Sequence, residues 1–599
     1  MTLKKDLSGV KIQVFFIFLI CFLLVLFFMN KRIRYQDALD SLEKGGTVYE
    51  RMVFVTGGPG KSLEIHPFRD IRVDPAELKV FLPSGSEDKD IHVFFELRDT
   101  LSLIDPSGRE YILKDGDKLP KIETGKKYSL TLSGGYNPDF DHTDITFYRS
   151  SGMASAFIDT KSGSMEYLDS DKENAEEGTI RLFDEDGNTE YSGKLAEIKG
   201  HGNSTWSRGK KPYGIKLHKK KNLFNMGSDK EWILLSNSMD LSMVRNAFIY
   251  DLARDLDFSA TPSFCYVDLY LNGFYNGLYL LTTKPGIGKN RLDITDLDRE
   301  NKALNLDPPS ASERTEKENE DSSYVSGVKL KNIPSDISGG YLIEHDYGYK
   351  FDSEPSRFKT PKGDKYVLKS PAYAPIEEVE YVEGIFGSLE NKAESGEDLS
   401  DIIDLDSFIR IYVLDEFTRN EGAGVTSAYY YKDRDSVDKK LYAGPVWDYD
   451  QSMGNTFFSL VNETGSLNFC TDHVESTKLF YELYTNHPEF REGVMEYYKD
   501  TFKPEIEDCL ESFLGACLNK VLSDNGMNGY RWGDDDEAVK ASVQQIRDFI
   551  AERIEFLDRA WIDKEPLEIR HLTDGRRDLY TGFLKETGLP ESYRNLKAV

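Results

Sequence analysis

A Gly-Pro turn and a Gly-Asn turn bracket two acids in Gly444-Pro445-Val446-Trp447-Asp448-Tyr449-Asp450-Gln451-Ser452-Met453-Gly454-Asn455, and this stretch constrains the fold more than any other. Lys440-Leu441-Tyr442-Ala443 before it reads as the end of a strand. The chain must therefore fold so that a strand delivers Asp448 and Asp450 to the mouth of a loop. Hard divalent cations take carboxylate oxygens, and Mg²⁺ commonly keeps one or two carboxylates together with phosphate oxygens. An Asp-x-Asp in an acidic protein is also commonly a solvated turn. The neighbouring motifs decide between the two.

With 599 residues the chain has room for two to four domains. Its net charge of −29 excludes broad nucleic-acid binding, which needs Lys and Arg facing phosphates. The same charge fits a soluble domain that repels anions except at local basic spots. Near the N-terminus, Val14 to Met29 is an uninterrupted apolar run, which Ile12 extends past Gln13. It sits at the short end of the roughly 17 to 25 residues that span a bilayer. Asn30-Lys31-Arg32 follow without the small residues of a cleavage site, so an uncleaved, single-pass membrane anchor is expected over residues 1–34. The large domain after such an anchor is expected on the extracytoplasmic side of the cell membrane. Cys265, Cys470, Cys509 and Cys517 are scattered, with neither a metal-ligand spacing nor a disulfide framework, and are expected to be core thiols.

Residues 35–150 show short alternating runs broken by turns, such as Val53-Phe54-Val55-Thr56, Ile91 to Leu97 and Tyr128 to Leu132. This spacing predicts a β-sandwich-like accessory domain without evident chemistry. A second unit, expected over residues 151–563, leads into Lys199-Gly200-His201-Gly202-Asn203-Ser204-Thr205-Trp206 and then a lysine-bearing strand through Lys210, Lys211 and Lys216. Small residues let backbone N–H groups approach an anion, and a lysine adds a point charge, so Asn203, Ser204, Lys211 and Lys216 are candidates for a phosphate cradle. An ordinary hairpin is the plainer reading of a lone Gly-x-Gly.

Asp240 is expected to cap a helix with Leu241, Val244, Ala247, Phe248 and Leu252 on its apolar face, which leaves Arg245 and Asn246 off the stripe. Asn272-Gly273 predicts a two-residue hairpin turn. Residues from about 299 to 335 are polar and unperiodic, and are expected to be a disordered insertion. Gly339 to Asp346 returns to a strand with acids at its end. Leu405 to Arg419 reads as a helix ended by Asn420-Glu421-Gly422-Ala423-Gly424, Ser427 to Lys432 as a strand, and Thr477 to Ile562 as mostly helical. Residues 564–599 form a short tail.

Taken in order, these segments resemble the spore-coat-H (CotH) kinase family over roughly residues 155 to 560. The residues that carry the resemblance are Lys199 to Trp206, Lys211-Pro212-Tyr213, and Trp232 to Leu235 with Arg245-Asn246. Leu271-Asn272-Gly273 to Leu281, Gly340 to Glu344 and Gly444 to Asp450 complete it. The resemblance implies an α+β, atypical protein-kinase-like domain of two lobes, one β-rich and one helical, with ATP and Mg²⁺ or Mn²⁺ between them. It also implies phosphate transfer to Ser or Thr of a protein at the cell surface or spore coat. Carried over to this chain, Lys216 contacts phosphates, with Lys211 as the alternate, alongside Asn203, Ser204 and Arg245. Asp448 holds the metal, supported by Asp450, with Asn420 as a further ligand.

Three positions depart from the family pattern. His201 stands where the family usually has Arg, Thr283 where it usually has Glu, and Asn420-Glu421-Gly422 where it commonly has Asn-x-Asp. Glu421 is then the carboxylate nearest the place of the catalytic base. The alternative reading keeps the scaffold as a catalytically weak or inactive surface protein that acts by binding.

Overall fold

The computed structural model describes residues 53–56, 78–86, 91–94, 100–133, 143–305, 314–346, 351–423, 426–456, 462, 464–467, 478–524, 526–533 and 535–566. The anchor expected over residues 1–34 and the tail residues 567–599 lie outside them. Among the described residues no helix is long and apolar enough to cross a membrane. The protein is of mixed α+β class and divides into two compact units. The first comprises Met1–Met165, Thr179–Ser192 and Asp268–Gly277; the second comprises Glu166–Gly178, Gly193–Val267 and Leu278–Val599.

In the first unit, the described residues of the region expected to be a β-sandwich form one five-stranded sheet and a two-stranded ladder. The sheet runs Lys79–Leu82, Thr143–Arg149, Lys127–Ser133, Thr100–Ile104, Glu110–Leu113. Its first pair is parallel and the rest are antiparallel. Val53–Thr56 pairs with Ile91–Phe94. The Asn272-Gly273 turn takes positive φ at both residues, 50° and 87°, as a two-residue hairpin requires.

The second unit carries the candidate site. β1 (Thr189–Gly200), β2 (Tyr213–Asn222), β3 (Ser228–Leu235) and β4 (Phe274–Thr282) are strands of a closed barrel and pair antiparallel in that order. In β2 the burial alternates: Tyr213, Ile215 and Leu217 go inward while Lys216 and His218 face water. A turn then leads to α1 (Arg245–Asp255). The helix begins later than expected because Met243 takes φ 58° and the Asp240 carboxylate caps the turn itself, accepting from Ser242 N at 3.1 Å and Arg245 N at 2.9 Å.

After α2 (Leu297–Leu304) come β5 (Arg314–Glu318) and β6 (Tyr324–Val328). The stretch 299–335 is therefore not the disordered insertion its composition suggests. It contains the end of α2 and a hairpin in continuous register from Arg314↔Val328 to Glu318↔Tyr324, while 306–313 lie outside the described residues. β5 is the outermost strand of its sheet, and charged, exposed side chains are what an edge strand uses against further pairing. Its polarity reflects an edge strand.

β7 (Tyr341–His345), β8 (Arg357–Lys359), β9 (Lys365–Ser370), β10 (Ala428–Lys432) and β11 (Leu441–Ala443) join that hairpin in a seven-stranded sheet ordered β5-β6-β8-β9-β7-β10-β11. One irregularity matters later. Leu342 faces Ser370 but Ile343 faces Leu368, so Lys369 is the extra residue of a bulge.

Between β9 and β10 lie α3 (Ile376–Ser395) and α4 (Leu405–Thr418). Asp404 caps α4 by accepting Ser407 N–H at 2.9 Å. Every residue of α4 from Phe408 to Thr418 except Arg410 is buried, which marks it as a central helix. α5 (Leu479–Asn486), α6 (Pro488–Tyr497), α7 (Lys503–Leu522), α8 (Met527–Trp532) and α9 (Asp536–Leu557) form the helical end expected from the sequence. Tyr412 of α4 stacks on Tyr484 at 5.5 Å and meets Phe490 edge-on, and Trp561 donates to the Tyr484 hydroxyl at 3.1 Å. Of the four expected core thiols, Cys509 and Cys517 are buried and Cys265 is half-buried, while Cys470 lies outside the described residues.

Candidate active site

β11 ends at Ala443, and the cis Gly444–Pro445 peptide turns the chain into the acidic loop. Asp448 sits at φ 66° and accepts from Ser427 Oγ, just before β10, at 3.0 Å. Two residues at the start of α1 grip this loop. Asn246 Oδ1 accepts the Tyr449 N–H at 2.7 Å. Arg245 donates through Nε to Ser452 O at 2.9 Å, through Nη2 to Met453 O at 3.3 Å, and through Nη1 to Asp240 Oδ1 at 2.5 Å. The segment following α4 holds the other side: Glu421 N–H donates to Gln451 O at 3.0 Å, and Met453 N–H to Thr418 O at 2.8 Å. Helix start and helix end thus fix the loop through its own backbone, which leaves the Asp448 and Asp450 carboxylates for other work.

The charge here is lopsided. Asp450 is buried, and its carboxyl is held well above the usual range by loss of solvent first, then by Asp448, Asp240 and Glu421, against the opposing pull of Arg245. Asp448 remains open to solvent although protein surrounds it. Its carboxyl is also pushed up, by desolvation and by Glu344, while the Ser427 hydrogen bond pulls it down. Asp415 of α4 is raised to about 6 by burial, although Tyr449 OH donates to it at 2.6 Å and Asn420 Nδ2 at 3.3 Å. A hard divalent cation suits the chemistry of these carboxylate donors, and added positive charge relieves the repulsion that Asp448 and Glu421 exert on Asp450.

The residues singled out from sequence divide into two groups. Asp448, Asp450, Glu421 and Asn420 lie on two loops joined by the Glu421 N–H to Gln451 O bond, and Asp448 and Glu421 act on Asp450. Within this group Asn420 is buried, and its Oδ1 accepts Gly422 N–H at 3.2 Å while its Nδ2 serves Asp415, so its amide braces the loop. Arg245, expected to bind nucleotide, is fully buried and spends its guanidinium on Asp240 and the Ser452 and Met453 carbonyls. It is a clamp on the acidic loop.

The phosphate-cradle candidates have other partners. Lys211 Nζ donates to Trp206 O at 2.8 Å and lies 4.3 Å over the Trp206 ring. Asn203 Oδ1 accepts from Lys172 Nζ at 3.3 Å, and Ser204 opens a short turn over Ser204–Ser207. Gly200 is small because a Cβ there would meet the Trp206 ring at 2.7 Å. Lys216 is half-exposed and pairs with Glu231 Oε1 at 3.2 Å, the residue opposite it in the ladder, while Lys284 takes Glu231 Oε2 at 3.3 Å. Burial would raise Glu231, but Lys284, Lys216 and Arg291 bring it down to about 2.

Sequence reasoning missed Asp240 and Asn246 as loop-setting residues, and it missed Glu344 with its ion partner Lys369, 2.9 Å away. Glu344 carried a faint signal as an acid at a strand end. Lys369 carried none.

The family model described as CotH kinase protein matches residues 198–557, and the chain belongs to that family. No curated protein matches it.

Proposed function

Starting from a CotH-family, kinase-like chain, we propose that it transfers the γ-phosphate of ATP, with Mg²⁺ or Mn²⁺, to a Ser or Thr hydroxyl of a surface or secreted protein. The observation that carries this reading is the buried Asp450 carboxyl, on a loop locked by Arg245 and Asn246, raised by its neighbours Asp448 and Glu421. The single-pass membrane anchor and extracytoplasmic placement belong to the same proposal and rest on the apolar run Val14 to Met29.

Phosphoryl transfer is mostly positioning and neutralisation of charge. Asp448 and Asp450 would hold the cation, which when bound offsets the charge of the phosphate oxygens. Asn246 and Arg245 keep the loop backbone from shifting as charge changes across it. Glu421 accepts the proton of the acceptor hydroxyl while the new O–P bond forms and the bond to the departing ADP breaks.

A specific feature favours the second reading, a binding scaffold without catalysis. The family's catalytic Asp position falls on Gly422, where a Cβ would lie 3.0 Å from the Thr426 carbonyl oxygen. A side chain there meets backbone, so this chain's loop relies on Glu421 alone. Incubating the full chain with labelled ATP, Mn²⁺ and a mixed protein acceptor separates the readings. Label transfer with MnATP-dependent thermal stabilisation, both lost in Asp448→Ala, is the expected result. Stabilisation without transfer selects the scaffold, and neither effect rejects both.

A further inference from the structure

We propose that a cavity behind the Glu421 turn binds a monovalent cation of about the size of water, K⁺ or NH₄⁺, with the Asp415 carboxylate as its anchor and the Tyr430 hydroxyl as a second oxygen. This site is distinct from the divalent cluster at Asp448 and Asp450, and it does not rest on the kinase reading.

The cavity measures about 20 Å³, enough for one occupant the size of a water molecule. Its walls come from α4 (Asp415), the turn after it (Asn420 and Gly422), β10 (Tyr430) and the entry to the acidic loop (Trp447 and Tyr449). Among the described residues that line it, Asp415 is the only charged side chain.

Asp415 is 5% exposed. Both of its side-chain hydrogen bonds, from Tyr449 OH at 2.6 Å and from Asn420 Nδ2 at 3.3 Å, end on Oδ1. Oδ2 receives neither, and no lysine, arginine or histidine lines the cavity to pair with it. Tyr430 gives an independent second observation. It is 1% exposed, and its hydroxyl has no hydrogen-bond partner among the described residues.

A carboxylate buried without a cation and a hydroxyl buried without a partner each cost free energy. An ion in the cavity that both residues line answers both costs, because oxygen atoms are what a hard cation takes. The charge selects the ion. One positive charge balances one carboxylate, whereas a divalent ion would leave a surplus charge inside the protein. The ion ties α4 and β10 to the turn that carries Glu421 and to the loop that carries Asp448.

The test titrates the full-length, nucleotide-free protein with Tl⁺ as a probe for K⁺, with Mg²⁺ in excess, and reads bound Tl⁺ by thallium NMR. Wild type is expected to bind a single Tl⁺ that K⁺ and NH₄⁺ displace and that choline, too large for the cavity, does not. Asp415→Asn keeps the shape and removes the charge, and is expected to weaken Tl⁺ by about tenfold or more. Tyr430→Phe is expected to weaken it by about threefold or more, and Asp448→Ala to bind Tl⁺ as wild type does. At equal ionic strength, wild type should melt about 2 °C higher in K⁺ than in choline, a gap that Asp415→Asn and Tyr430→Phe both narrow. No bound Tl⁺ means that the cavity holds water only and overturns the proposal. Binding that survives both Asp415→Asn and Tyr430→Phe, or that Asp448→Ala abolishes, overturns it as well. If Asp415→Asn does not fold, Tyr430→Phe decides alone, and unchanged Tl⁺ affinity in that variant is the overturning result.

Discussion

Arg245 and Arg553 are both fully buried helical arginines bonded to backbone carbonyls, yet the charge around them is balanced in opposite ways. Arg553 of α9 donates to Glu416 Oε1 at 2.9 Å and Glu416 O at 2.7 Å, and otherwise to the carbonyls of Phe417, Thr464 and Ser466. One cation meets one buried carboxylate, and neutral groups complete the set. Arg245 meets Asp240 directly and also pulls on Asp450, which in turn feels Asp448 and Glu421. Here the acids outnumber the arginine. The first arrangement is closed and holds helices together; the second leaves a charge deficit that a ligand can fill. Glu378 of α3 shows a third solution. It is buried with Asn301 Nδ2 donating to Oε2 at 3.1 Å, and its carboxyl rises to about 8, so at neutral pH it keeps a proton. An arginine, the cation proposed for the open cluster and a proton are three answers to the same cost of burying a carboxylate.

The sharpest way to break the comparison is at the closed pair. Arg553→Met leaves Glu416 buried without its cation and is expected to lose about 3–5 kcal/mol, read by chemical denaturation. A loss under about 1 kcal/mol would mean that solvent reaches Glu416 and that the pair is not closed.

At the open cluster the sign should reverse. Asp450→Asn removes one of the repelling carboxylates, so the metal-free protein is expected to gain on the order of 1 kcal/mol, as sites that give up stability for function do. The same variant should lose the stabilisation that Mn²⁺ confers on wild type, about 2.7 kcal/mol at a hundredfold excess over Kd. Parallel thermal melts with and without Mn²⁺ read both halves. Asp450→Asn that melts lower without metal would show the cluster to be structural.

The last effect is read against pH and concerns Glu378. Its carboxyl titrates higher folded than unfolded, so its stabilising contribution is complete below about pH 4.5, the ordinary carboxylate value, and is lost as pH rises through about 8. Wild type should therefore lose stability between about pH 5 and 8, and Glu378→Gln should flatten that slope. Denaturation midpoints across this range measure it, and identical slopes would place the proton elsewhere.

The parts of the fold legible in the sequence were those set by neighbours along the chain. Asn272-Gly273 has the positive-φ residues that a tight hairpin demands, and Asp404 sits where α4 needs a cap. The strand running into Gly444-Pro445 announced that Asp448 and Asp450 would stand on a loop. The β5–β6 hairpin was misread because edge strands and disordered segments share a polar composition, and only the pairing partner tells them apart. The cradle lysines were misread for a related reason. A lysine beside small residues looks free in one dimension, but Lys211 finds the Trp206 ring and Lys216 finds Glu231 across the ladder.

Local periodicity and turn chemistry, then, determined that this chain has strands feeding an acidic loop, a central helix ending beside it, and a helical end. The tertiary structure alone decided that Arg245 would grip Ser452, 207 residues away, instead of a ligand. It also decided that a bulge would hand Lys369 to Glu344. Those contacts depend on strand register and on which charges are buried together. Both are properties of the packed chain, because desolvation strengthens every charge interaction that the extended chain leaves to water.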